Sequence, residues 1–297
     1  MNIIKSSFSI KDLENLSGVK AHTIRIWEKR FNLLQPIRDK NNIRSYSIES
    51  LQKLLNINML LVNNYKISDV AYMEDSEIIS KVRQISIEKT PQKFALETLK
   101  MAMMTLNKQL FNSFVNQLII DHGFYFVIHE IFFPLLNEVG LLWQNNTISP
   151  IHEHFVSNLI IHKIIVQIEK VEQPILDINN QKVILFLPNN EFHEIGLLSL
   201  YYESCLLGKN CLYLGASTPI EEINLQQFSD DNIVFIAYFT IYPENEFLEE
   251  YILAFQEKFL KNNNKLLIFG NKCNKIRHLE SKKIVLMNES KKLSDYL

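Results

Sequence analysis

Between Lys182 and Met287 five short apolar runs recur, Lys182 to Leu187, Asn210 to Leu214, Ile233 to Phe239, Lys265 to Phe269 and Lys283 to Met287, separated by stretches with helical apolar spacing. Runs of this kind predict buried parallel strands, and their alternation with helices predicts a parallel sheet covered on both faces, a flavodoxin-like (Rossmann-like) α/β domain. The first run ends in a polar loop, Asn189-Asn190-Glu191-Phe192-His193, and a helix follows from about Leu197 to Leu207. His193 therefore stands at the carboxyl end of a strand. Ligands of open α/β sheets bind at that edge, because its loops are free of sheet packing and helix amino-ends direct N–H groups outward. An imidazole in that position can reach a metal.

A chain of 297 residues that is 47% hydrophobic has room for two or three cores. Only 7 Gly and 8 Pro argue against a β-sandwich and for helices with few tight turns. Cys205, Cys211 and Cys273 show neither metal-type pairing nor an even disulfide framework, which points to a reducing, cytoplasmic setting. No signal peptide is read at the amino-end. The longest apolar stretch, Phe124 to Trp143, carries His129, Glu130, Asn137 and Glu138, costly in lipid, and reads as a buried helix; no membrane partner is expected. Charge is uneven along the chain. Residues 1 to 45 hold nine Lys or Arg against four Asp or Glu, while the whole chain is at -2, so a basic first domain sits on an acidic body. That imbalance suggests a polyanion partner for the first domain alone.

In that basic segment Ser9 can cap a helix, with Asp12 in the capping-box position and Gly18 as the stop. A second helix is expected from about Ala21 to Phe31. It places Ile24, Trp27 and Phe31 on one face and leaves Lys20, His22, Thr23, Arg25 and Lys29 elsewhere. Two short helices about a Gly-containing turn, the second one basic, is the form of a helix-turn-helix. Val19-x-x-x-Thr23-Ile24-Arg25-x-Trp27-Glu28, then Leu33-Leu34-x-Pro36-x-Arg38, then Arg44-x-Tyr46 resembles the MerR family of transcription regulators over about 70 residues. The resemblance implies double-stranded promoter or operator DNA as partner, a wing from Arg38 to Tyr46, and Arg44 and Tyr46 fixing that wing against the DNA backbone. Further helices are expected at Leu51 to Val62 and Ile67 to Met73.

Thr90-Pro91 opens the next segment as cap and first helical residue. Four helices follow to about Val171, with breaks near Asn107, Asp121-Gly123 and Asn145-Pro150, and Phe111, Val115, Leu118, Leu136, Val139 and Leu142 recur at core spacing. Trp143 followed after nine residues by Glu153-His154 resembles the W-x(9)-E-H of the helical cap in cobalamin-dependent photoreceptor regulators. In that resemblance Trp143, Glu153 and His154 shelter the adenosyl group above cobalt. A zinc site among His152, Glu153, His154 and His162 is rejected, because His152 and His154 project about 200° apart on a helix and no His-Glu-x-x-His is present.

The loop after the first strand carries the last resemblance. Glu191-x-His193-x-x-Gly196 is similar to the Asp-x-His-x-x-Gly signature of cobalamin-binding domains. It implies His193 as the cobalt ligand from below, Glu191 as the acid on its far ring nitrogen, and Gly196 as the place where the nucleotide tail passes the backbone. Departures accompany it: Glu191 is a methylene longer than the family's Asp, Ala237-Tyr238-Phe239-Thr240-Ile241-Tyr242 replaces a small Ser, Gly270-Asn271 replaces paired glycines, and Gln144 replaces a His after the cap Trp.

The expected organisation is multidomain, α and α/β: a winged helix-turn-helix head over 1–75, a linker over 76–89, a four-helix bundle over 90–175 and the α/β domain over 180–297. The expected function is a non-enzymatic transcription regulator. Its DNA-bound or oligomeric state, dimer or tetramer, would be set by cobalamin, adenosylcobalamin in particular, bound between bundle and α/β domain. The alternative is a regulator of the same build that has lost cobalamin and is switched by a regulatory protein partner. A corrinoid methyl-transfer module is disfavoured by the DNA-binding head.

Overall fold

A computed structural model describes residues 7–88, 91–172, 181–223, 232–288 and 292–297. The expected cap at Thr90 and the expected boundaries at 175 and 180 lie outside these residues. The chain divides into two compact units, 1–159 and 160–297.

The first unit begins with α1 (Ile10–Ser17) and α2 (Ala21–Phe31). Ser9 caps α1 through a reciprocal box with Asp12, and Gly18 ends it at φ 75°, a left-handed turn that suits glycine. A two-stranded antiparallel hairpin follows, β1 (Ile37–Arg38) and β2 (Arg44–Ser45). Its tip is closed by Asp39, whose carboxylate accepts from the N–H groups of Asn41 and Ile43. Then come α3 (Ile48–Val62), α4 (Ile67–Val70) and α5 (Asp75–Glu88). The stretch expected as a linker is thus largely helix, and Ile78 and Val82 of α5 are buried. Two apolar anchors one turn apart make a helix against α3 more favourable than a solvated strand of chain.

The bundle consists of α6 (Pro91–Met104), α7 (Lys108–His122), a long third helix and α10 (Pro150–Val171), which spans the division between the units. The third helix runs as α8 (Phe124–Phe126), a π-helical segment (Val127–Phe132) and α9 (Phe133–Gln144). Pro134 lacks an N–H and cannot continue the ordinary ladder, and the wider turns lie immediately before it. This stretch is long and apolar enough to cross a membrane. Only one side of it is buried: Val127, Ile128, Ile131, Phe132 and Leu135 are enclosed, whereas Tyr125, Leu141 and Trp143 are exposed. Head and bundle are joined within the unit by polar contacts. Lys100 of α6, 6% exposed, donates to the Leu16 carbonyl of α1 at 3.2 Å and pairs with Glu138 at 2.9 Å and Glu97 at 3.4 Å. Asn15 of α1 donates to the Thr147 hydroxyl at 2.8 Å.

The second unit is a five-stranded parallel sheet of β3 (Lys182–Pro188), β4 (Asn210–Thr218), β5 (Ile233–Tyr238), β6 (Lys265–Phe269) and β7 (Ile284–Leu286), in the order β4-β3-β5-β6-β7. Helices α11 (Glu194–Leu206) and α12 (Leu248–Phe259) complete it. Alternate residues of β3 feed two cores. Ile184 and Phe186 join Phe235, Phe255 and Phe259, while Val183, Leu185 and Leu187 join Leu197 and Ile236. That double burial is why the strand reads as apolar throughout. The order reverses direction between β3 and β5, the switch point where such sheets bind ligands.

Candidate functional site

At the switch point Glu191 is fully buried. One carboxylate oxygen accepts from the backbone N–H of Phe192 and His193, both at 3.1 Å, and from His193 Nδ1 at 2.5 Å. The other accepts from the N–H groups of Thr240, Ile241 and Tyr242 at 3.2, 2.6 and 2.9 Å. Burial alone would raise the pKa of this carboxyl, but the Tyr242 N–H, the His193 ring and the further N–H donors outweigh it and hold the value at about 2. An ionised carboxylate can only accept, so Nδ1 carries a proton and the neutral ring keeps its lone pair on Nε2. The His193 side chain is 56% exposed, so the ring is accessible to a ligand. Phe192 and Ile241 beside it are exposed apolar side chains. One carboxylate thus serves both the loop after β3 and the loop after β5.

Sequence reasoning missed the group that holds the far side of that second loop. Lys272, 6% exposed, donates to the carbonyls of Ile241 and Pro243. Burial lowers its pKa. Nothing in the local sequence marks it, because its partners are backbone atoms some thirty residues earlier.

Gly196 does not lie beside open space. A Cβ on it would fall 2.5 Å from Cε2 and 2.6 Å from Cζ of Tyr238, so the tyrosine ring rests directly on the glycine backbone. The expectation of a passage at Gly196 is therefore corrected: the absence of a side chain there makes room for Tyr238. The site fits a corrinoid at its cobalt end, through His193 and Glu191, and does not fit the nucleotide tail.

The residues expected above the ring lie in the first unit. Trp143 is the penultimate residue of α9 and is 54% exposed. Glu153 ends the first turn of α10 and His154 opens the second, their side chains 3.4 Å apart, with the Ser157 hydroxyl donating to Glu153 at 2.7 Å. Among the described residues no group of three or more His, Cys, Asp or Glu could hold a bare metal ion.

In the head, His22, Arg25 and Lys29 on α2 are exposed, as is Arg38 on the hairpin; Thr23 is half-buried. Lys20 precedes α2 and pairs with Glu14 at 3.4 Å. Arg44 donates through Nε to Glu28 of α2 at 3.0 Å, and the Tyr46 hydroxyl donates to the other oxygen of the same carboxylate. Tyr46 is 1% exposed, and burial followed by Glu28 pushes its phenol above the ordinary range. The expectation that Tyr46 meets the DNA backbone is thus corrected: it braces the wing against α2 from inside. Glu28, quoted only as part of a motif, is the residue that joins α2 to the β1–β2 hairpin and the residue after it.

Residues 8–77 match the family described as MerR HTH family regulatory protein, and residues 95–166 match the B12 binding domain. The chain is similar to the HTH-type transcriptional repressor CarH of Myxococcus xanthus, at 24% identity over 223 residues, 73% of each chain. It is also similar to the HTH-type transcriptional repressor CarA of the same organism, at 23% identity over 215 residues, 71% of this chain and 68% of that one. Among solved structures, a cobalamin-binding protein from Desulfitobacterium hafniense DCB-2 aligns at 15% identity with a TM-score of 0.31, covering 64% of this chain and 91% of that one, a likeness too low to support a functional statement.

Proposed function

We propose, from a MerR-type DNA-binding head joined to a B12-binding domain, that this chain is a transcription regulator whose occupancy of DNA is set by a corrinoid. The observation that carries the reading is the His193–Glu191 pair: an exposed imidazole whose inner nitrogen is held by a buried carboxylate at 2.5 Å. His193 would hold cobalt, Glu191 would fix the ring and its tautomer, and Trp143, Glu153 and His154 would be the residues to contact an adenosyl ligand. A bound corrinoid would supply a cobalt centre with an exchangeable upper ligand. Arg25, Lys29, Arg38 and Arg44 would supply the DNA contacts, with Lys20, His22 and Thr23 at the amino-end of the reading helix. For control of oligomeric state we rely on a physical argument: a winged head makes few phosphate contacts and needs a second head nearby.

The test is a desalting experiment in the dark. Purified protein mixed with corrinoid retains colour and a shifted spectrum, His193→Ala loses the shift, and gel-shift affinity for operator DNA differs between loaded and unloaded protein. Colourless elution with every corrinoid tried would favour the second reading, a regulator switched by a protein partner. The Tyr238 ring on Gly196 is the observation in its favour.

A further inference from the structure

Tyr238 is the last residue of β5, the strand paired directly with β3, and its ring lies on the first turn of α11 where Gly196 leaves no Cβ. The backbone on the β5 side of this contact is anchored. The loop that follows Tyr238 is tied through three N–H groups to Glu191 and through two carbonyls to Lys272. Behind it, Gly270 approaches so closely that a Cβ there would sit 2.2 Å from the Phe239 carbonyl oxygen. The space between α11 and the end of β5 is thus filled by the Tyr238 ring, carried on a strand end whose following loop is anchored.

An intact cobalamin carries its own lower ligand, a benzimidazole joined to the corrin edge through a phosphodiester. An imidazole that takes cobalt from below displaces that base. The displaced base must then either lodge in the protein beside the imidazole or stay tethered in solvent, where its high effective concentration keeps it competing for cobalt. A cavity of about 510 Å³ borders the same loop, but Glu244, Glu246, Lys272 and Lys275 are among its lining residues, a charged setting poorly matched to an aromatic base.

We infer that Tyr238 is a specificity-determining residue: its ring on Gly196 occupies the place a displaced base would take, so His193 binds corrinoids that lack the nucleotide tail in preference to intact cobalamin. This rests on the reading of His193 as a cobalt ligand.

The experiment is an absorbance titration of the full chain in the dark with two probes, diaquocobinamide and hydroxocobalamin. The unmodified chain should bind the cobinamide at least about tenfold more tightly. Tyr238→Ala should narrow that ratio by about tenfold or more, Tyr238→Phe should leave it unchanged, and His193→Ala should abolish the cobinamide shift. The comparison of ratios removes the intrinsic cost of displacing the base, which is the same for every variant. An unchanged ratio in Tyr238→Ala, with both probes bound, overturns the inference and leaves His193 as ligand. Equal affinities in the unmodified chain overturn it without any variant, should Tyr238→Ala fail to fold. No shift with either probe in any form overturns both the inference and the reading beneath it.

Discussion

Glu191 combines complete burial with six hydrogen-bond donors, and its value near 2 lies below the ordinary 4.5 of a free carboxyl. The folded state therefore favours the ionised form. The stability this group contributes is complete above about pH 4.5 and is lost as pH falls toward 2. Glu191→Gln places an amide N–H₂ against N–H donors and should cost about 3 kcal/mol near neutral pH, by loss of charge-assisted bonds and an unsatisfied donor. Urea denaturation at a series of pH values checks it: the gap between the two proteins should close between pH 4.5 and 2. A gap that stays constant over that range would mean the carboxylate is not the source. The acid–imidazole pair was legible through the resemblance of Glu191-x-His193-x-x-Gly196 to a known signature, because that spacing and its place after a strand are local. Its other half was not, since the N–H groups of 240–242 and the ammonium of Lys272 come from loops that only folding brings near. Tyr46 shows the complementary limit: the family resemblance implied a DNA contact, and depth, which no motif reports, made it a brace.

Among the elements, α2 and the β1–β2 hairpin are tied into one piece because Glu28 accepts from both Arg44 and Tyr46. The two donors should separate in experiment. Tyr46→Phe removes a buried hydroxyl and should destabilise by about 1–2 kcal/mol with the salt dependence of DNA binding unchanged. Arg44 is 30% exposed at its side chain, and Arg44→Ala should weaken binding across all sequences and lower the salt slope by about one. Thermal melts and gel shifts at two salt concentrations distinguish them; a changed slope in Tyr46→Phe would contradict the bracing role. Element positions themselves were largely readable. The capping box at Ser9, the turn at Gly18 and the apolar runs of the sheet are short-range signals, and α1, α2 and β6 lie where those signals put them. Helix α5 was not, because its few apolar anchors are separated by charged residues and gain their weight only from burial. The π-helical turns before Pro134 escaped for a related reason: the proline announces a broken ladder without saying how the ladder is repaired.

At the scale of the whole chain, the basic charge is concentrated in the first 45 residues, while the rest is acidic. A single head therefore attracts DNA through a small set of cations and is weakened steeply by salt. Two heads on half-sites about one helical turn apart would multiply those contacts, and the second would bind at high effective concentration. The contacts of α1 with Lys100 and Thr147 also tie head and bundle together, so whatever alters the bundle has a direct mechanical route to the head. The expected outcome is a DNA complex containing two or more chains, with occupancy rising more steeply than first order in protein and with corrinoid shifting that curve along the concentration axis. Sedimentation of the full chain on a labelled operator, with and without corrinoid, measures both. A complex of one chain per operator, with first-order occupancy, would show that assembly is not the controlled step and would move the effect of the ligand to the single head and the helices bound to it.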